Sequence, residues 1–157
     1  MNIILNIYDK ISDYILNYFK EISWVLVFLL STFGALVGLG TVLGMKIENE
    51  IFLWCLIFVV YTLIIAKNAP SAFFKHIYIT FIVDAIWIST LHIAYFSRYA
   101  WNNPFRTQMN FEYTQYIPSR VMEVIIQVVF CSILGSISGL ITLYARRFIK
   151  HEPIETK

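Results

Sequence analysis

Apolar positions along this chain gather into four long runs separated by short polar breaks. A hydrocarbon core of about 30 Å takes roughly 20 helical residues to cross. On that measure the runs predict spans over 24–45, 51–66, 77–96 and 121–145. The second run holds 16 residues. It spans only if Asn49 and Glu50 sit at one interface and Lys67 snorkels at the other, or if the bilayer thins locally. Three spans plus one interfacial helix is the alternative arrangement.

Ahead of these, residues 1–22, "MNIILNIYDKISDYILNYFKEI", carry apolar side chains at three- and four-residue spacing (Ile4, Ile7, Tyr8, Ile11, Ile15, Tyr18). That spacing predicts an amphipathic helix lying at the headgroup level, with an early extension of the first span as the competing reading. Lys10, Asp13, Lys20 and Glu21 interrupt the stretch, and neither a basic start nor a small-residue cleavage site marks a signal peptide.

The expected fold class is therefore all-α: a four-helix membrane bundle with an interfacial N-terminal helix, one membrane domain over 1–157. Composition agrees, with 59% hydrophobic and 14% charged residues against about 25% charged in soluble domains. A net charge of +2, spread thinly, gives no basic groove for nucleic acid. Eight Lys and Arg residues (10, 20, 67, 75, 146, 147, 150 and 157) fall on one side of a four-span chain, and four (46, 98, 106 and 120) on the other. The excess assigns both termini to the cytoplasm or an equivalent matrix. A bacterial inner membrane is the expected location and an organelle inner membrane the alternative.

Two connections stand out. In "KNAPSAFFKH" Pro70 blocks helix continuation and Ser71 is placed to cap the next helix, which predicts an antiparallel hairpin. The segment 97–120, expected to be an external loop, is longer than the roughly two to eight residues a bundle connection needs. Trp101, Phe105, Phe111, Tyr113 and Tyr116 make it aromatic, and Asn102, Asn103 and Pro104 signal a turn. It serves either as an anchoring belt in the interface or as a docking surface for another subunit. At the tail, Arg146, Arg147 and Lys150 stop the last helix, and anionic lipid headgroups are their candidate partners.

Helices in lipid meet through small residues, and two stretches carry that signature. "STFGALVGLGT" (31–41) and "SILGSISGLIT" (132–142) agree at five of eleven positions, including Gly34 with Gly135 and Gly38 with Gly139. The first and fourth spans run antiparallel in this topology, so duplication does not account for the match. Convergence on a packing stripe does. Spans one and four are expected to touch, or one of them to form a homo-oligomer contact.

Ionisable groups inside a bilayer face protein or water, so Asp84, in "ITFIVDAIWISTLH", is expected to point inward. Hydroxyl residues lie at its depth on the other spans: Ser31 or Thr32, Tyr61 or Thr62, Ser136 or Ser138. His92 lies about 12 Å further along the helix, too far for a direct bond. With Gln127 and Glu123, His92 and Asp84 form a broken polar line from outside to inside. It reads either as interhelical fastening or as a proton or ion path.

No C-x-x-C, H-E-x-x-H, G-x-S-x-G or phosphate loop occurs, and Cys55 and Cys131 lie in different spans. No metal ligand set and no cofactor are expected, nor any pairing of nucleophile with base. Small multidrug exporters share the helix count but use an acid in the first span, where this chain has none. The expected role is a non-enzymatic subunit, scaffold or assembly factor of a membrane complex. Its partners would be lipids and other subunits or further copies of itself. A small proton- or ion-coupled transporter using Asp84 is the alternative.

Overall fold

The computed structural model describes residues 20–69, 71–113 and 117–149. These form α1 (Trp24–Val42), α2 (Ile47–Asn68), α3 (Phe73–Ala94), α4 (Phe96–Asn102), α5 (Pro104–Tyr113) and α6 (Ser119–Ala145). The fold of the described residues is all-α, and α1, α2, α3 and α6 are long and apolar enough to cross a membrane. Burial is arranged for lipid. Val25, Leu29, Phe52 and Leu140 lie on the exterior, whereas Asp84, His76, Thr80 and Ser138 are wholly enclosed. The chain is a multi-pass integral membrane protein. Residues 1–19, the bulk of the expected interfacial helix, lie outside the described residues.

The second span is longer than the apolar run suggested. With 22 residues it extends about 33 Å. Glu48 and Glu50 occupy its first turn and Lys67 its last, the charge order that suits a helix dipole. Glu50 is tolerated at a bundle end because Arg106 meets it at 2.6 Å. α2 packs against α6, α1 and α3 as a bundle member, which replaces the alternative of three spans and a surface helix.

α3 is the central helix, with α1 on one flank and α6 on the other. This corrects the expectation that spans one and four meet: each glycine stripe receives α3 instead. Gly34 lies against Asp84, and Gly38 against Ile88 and Leu91. On the other flank Gly135 lies against Phe81 and Tyr78, and Gly139 against the Phe74 ring. The stripes resemble each other because both accommodate large side chains of the same helix. Around them Leu30, Ile57, Tyr61, Ile77, Phe81 and Ile88 fill the core.

Two connections also differ from expectation. Segment 97–120 is mostly helix, α4 and α5 meeting at Asn103. At the hairpin, α3 is preceded by Ala72 in the left-handed region at φ 49°, with no side-chain cap, so Ser71 does not take that role. The end of α1 is closed in two ways. Gly44, at φ 92°, lets the Met45 and Gly44 amides donate back to the Gly40 and Thr41 carbonyls at 2.9 and 3.1 Å, a Schellman closure. Asn102 and Asn103 then donate to the Val42 and Thr41 carbonyls at 2.8 and 2.9 Å, so residues read as a turn also cap a distant helix.

A Cβ added at Gly34 would stand 2.5 Å from Asp84 Oδ1 and 2.7 Å from its Cβ and Cγ, atoms with little room to move. One added at Gly40 would meet the flexible end of Met45 at 3.1 Å. Gly34→Ala should destabilise by about 1–3 kcal/mol through overpacking and Gly40→Ala by clearly less. Thermal unfolding of the two variants in one detergent checks the order.

Candidate functional site

At the α4–α5 end of the bundle the six described helices contribute one side chain each to two neighbouring polar groups. Thr41 (α1) meets His92 (α3), with Oγ1 2.6 Å from Nε2. His92 Nδ1 lies 2.8 Å from Glu123 Oε1 (α6). The same oxygen accepts from the Tyr99 hydroxyl (α4) at 3.0 Å. Beside them Arg106 (α5) donates to Glu50 (α2) through both terminal nitrogens, at 2.6 and 3.4 Å. The Tyr99 ring also stacks on His92, with centroids 3.9 Å apart. This group is what the short helices are folded over.

Proton accounting narrows its state. Thr41 has one hydroxyl proton, which goes either to the Gly38 carbonyl at 2.9 Å or to His92 Nε2 at 2.6 Å. One further proton then lies between His92 Nδ1 and Glu123 Oε1.

The groups above the spans respond to the same surroundings. Burial, and next the Glu123 carboxylate beside it, push the Tyr99 phenol above its ordinary range, so the hydroxyl remains a donor. For Arg106, burial opposes the charge, but Glu50 outweighs it and holds the guanidinium above its ordinary value.

Hydroxyl, imidazole and carboxylate stand here in the order that hydrolases use for a nucleophile, a base and its orienting acid. The expectation that no such pairing occurs is corrected in geometry. Access is another matter. Thr41 and His92 are each 1% exposed. A reacting carbonyl would need to come within about 3 Å of the hydroxyl, which this packing does not allow. The trio ties α1, α3 and α6 to one another.

Asp84 belongs to a second, separate group. It is fully enclosed, with Oδ1 3.2 Å from the Tyr61 hydroxyl, whose single proton is shared between that oxygen and the Leu30 carbonyl at 2.7 Å. Its Oδ2 has no partner. Of the hydroxyl layer expected around it, Tyr61 alone bonds to it. Thr62 and Ser138 bond each other at 2.9 Å, while Ser31 and Ser136 donate to carbonyls of their own helices, the usual recourse of a serine in an apolar helix. Gln127 donates to Cys131 Sγ at 3.4 Å and so leaves the polar line. His92 and Glu123, expected at different depths, are in direct contact.

The remaining candidates lie apart. Arg146 sits 4.0 Å over the Phe73 ring and Arg147 5.9 Å from that of Tyr144; Lys150 is outside the described residues. Thr41, Tyr99, Arg106, Glu50 and His76 are not among the site candidates the sequence offers. His76 Nε2 accepts from the Ser23 amide at 2.9 Å, which satisfies the residue that opens α1. No grouping of three metal-ligating side chains occurs among the described residues. No protein-family model matches this sequence, and neither the curated proteins nor the solved structures contain a match.

Removing one member of the His92–Glu123 pair leaves the other buried alone, at a cost of about 3–5 kcal/mol. His92→Ala and Glu123→Ala should each destabilise by that order, and the double variant by much less than their sum. A double-mutant cycle on thermal unfolding measures the coupling, and additivity within about 0.5 kcal/mol would show that the pair does not act as a unit.

Proposed function

We propose that this chain is a non-enzymatic subunit, scaffold or assembly factor of a larger membrane complex, with both termini on the cytoplasmic side of a bacterial inner membrane. One observation carries the reading: at the α4–α5 end polar groups are bonded directly between helices, His92 with Glu123 and Thr41, Tyr99 with Glu123, and Arg106 with Glu50. Such bonding fixes a rigid end to the bundle rather than a path for a substrate. Trp101 and Phe105 stand on the outside of that end, 85% and 70% exposed. They provide a contact surface for a further subunit. α6 adds an apolar flank, since it is the least enclosed of the four spans.

Purification in mild detergent from the native membrane, followed by mass identification, tests this reading. The chain should travel with at least one other membrane protein in fixed ratio. Recovery as a lone monomer or a homodimer contradicts it.

The unpartnered Oδ2 of Asp84 favours a second reading, a small proton- or ion-coupled carrier in which that acid takes up and gives off the coupling ion. Asp84→Asn retains hydrogen bonding but removes titration. A carrier loses transport in proteoliposomes, whereas a scaffold retains its assembly.

A further inference from the structure

The residues just ahead of α1 are held to the first turn of α3 at two adjacent points. Lys75 Nζ lies 2.8 Å from Glu21 Oε2 in a solvent-facing ion pair. One residue further along α3, His76 Nε2 accepts from the Ser23 amide at 2.9 Å. This second contact is enclosed, with His76 wholly buried and Ile22 and Ser23 nearly so.

The two ring nitrogens have fixed roles. A backbone N–H only donates and a backbone carbonyl only accepts. Nε2, facing the Ser23 N–H, therefore carries no proton, and Nδ1, 3.1 Å from the Ala72 carbonyl, carries one. The bond to Ser23 thus requires a neutral imidazole. A proton added at Nε2 would set two N–H groups against each other at 2.9 Å. No side-chain cap stands in for the lost bond, since Ser23 Oγ makes none at the start of α1. Glu21 is the charged group that acts on the ring, and its partner Lys75 is the neighbouring residue of α3. Lys67, in the last turn of α2, and Arg146, 4.0 Å over the Phe73 ring, are further charges at this end of the bundle.

We propose that His76 is an acid-sensitive latch: protonation at Nε2 releases the Ser23 amide and frees the start of α1 from α3. The closed form has no place for the added proton, so the ring takes it up only when open. Opening is then independent of pH above about 6.5, the ordinary value for histidine, and rises about tenfold for each unit below it. Local opening of this kind is read by amide exchange. The latch holds whether the chain serves as a subunit or as a carrier, because it concerns the bundle alone.

Two measurements on the native chain in nanodiscs test it. Nitrogen NMR at neutral pH should find His76 protonated at Nδ1 and bare at Nε2. Exchange of the Ser23 amide with deuterium, corrected for its intrinsic rate, should be flat from about pH 7 to 8 and accelerate about tenfold from about pH 6 to 5, a window in which histidine is the side chain that ordinarily titrates. His76→Gln offers an amide oxygen that accepts from Ser23 but does not titrate, and it should remove the acid limb. Glu21→Gln breaks the ion pair and should leave the slope of that limb unchanged. The tautomer, the native acid limb and Glu21→Gln keep the test complete if His76→Gln does not fold. Three results overturn the proposal: a neutral His76 protonated at Nε2, no acid limb in the native chain, or an acid limb that persists in His76→Gln or disappears in Glu21→Gln.

Discussion

A polar group enclosed in hydrocarbon must find its partner within the protein, because no water is present to supply one. His92 and Glu123 meet that constraint through a single bond of 2.8 Å, and the rest of the bundle end is arranged around it. Thr41 bonds the far side of the imidazole, Tyr99 covers its face and donates to the same carboxylate, and Arg106 of α5 pairs with Glu50 of α2 beside them. α4 and α5 thereby form part of the fold. Without the polar pair beneath them, short helices of 7 and 10 residues would have little to hold them, since isolated helices below about 12–15 residues are marginal.

The same constraint explains why α3 is central. It carries Asp84 and His92, and its neighbours must supply both space and partners for them. α1 supplies space at Gly34 and a carbonyl at Leu30 that anchors Tyr61; α6 supplies Glu123. Glycine at 34 and 38 on one flank and at 135 and 139 on the other brings the backbones close enough for these contacts. At the opposite end His76, also on α3, satisfies the Ser23 amide ahead of α1. One helix thus carries polar fasteners at three depths.

Much of this was legible in the chain because hydrophobic run length and glycine spacing are local signals. Four spans, an inward Asp84 and glycines placed for close packing follow from them. The partner of each glycine stripe did not, since a stripe states that something large must approach but not which helix brings it. The depths of His92 and Glu123 were misjudged for a related reason. Counting from the middle of each apolar run ignores that α6 begins at Ser119 and α3 ends at Ala94, an offset that brings the two residues level. Tyr99 and Arg106 carried no signal of their own. Their roles arise only once Asn102 and Asn103 cap α1 and fold the connection back over the bundle.

The central claim is the direct bond between imidazole and carboxylate, and nitrogen NMR of ring-labelled histidine in lipid nanodiscs tests it most directly. The account predicts a Nδ1 proton of His92 that exchanges slowly with water and is displaced far downfield by the neighbouring carboxylate. A His92 ring that averages between neutral tautomers and exchanges freely with solvent would contradict it.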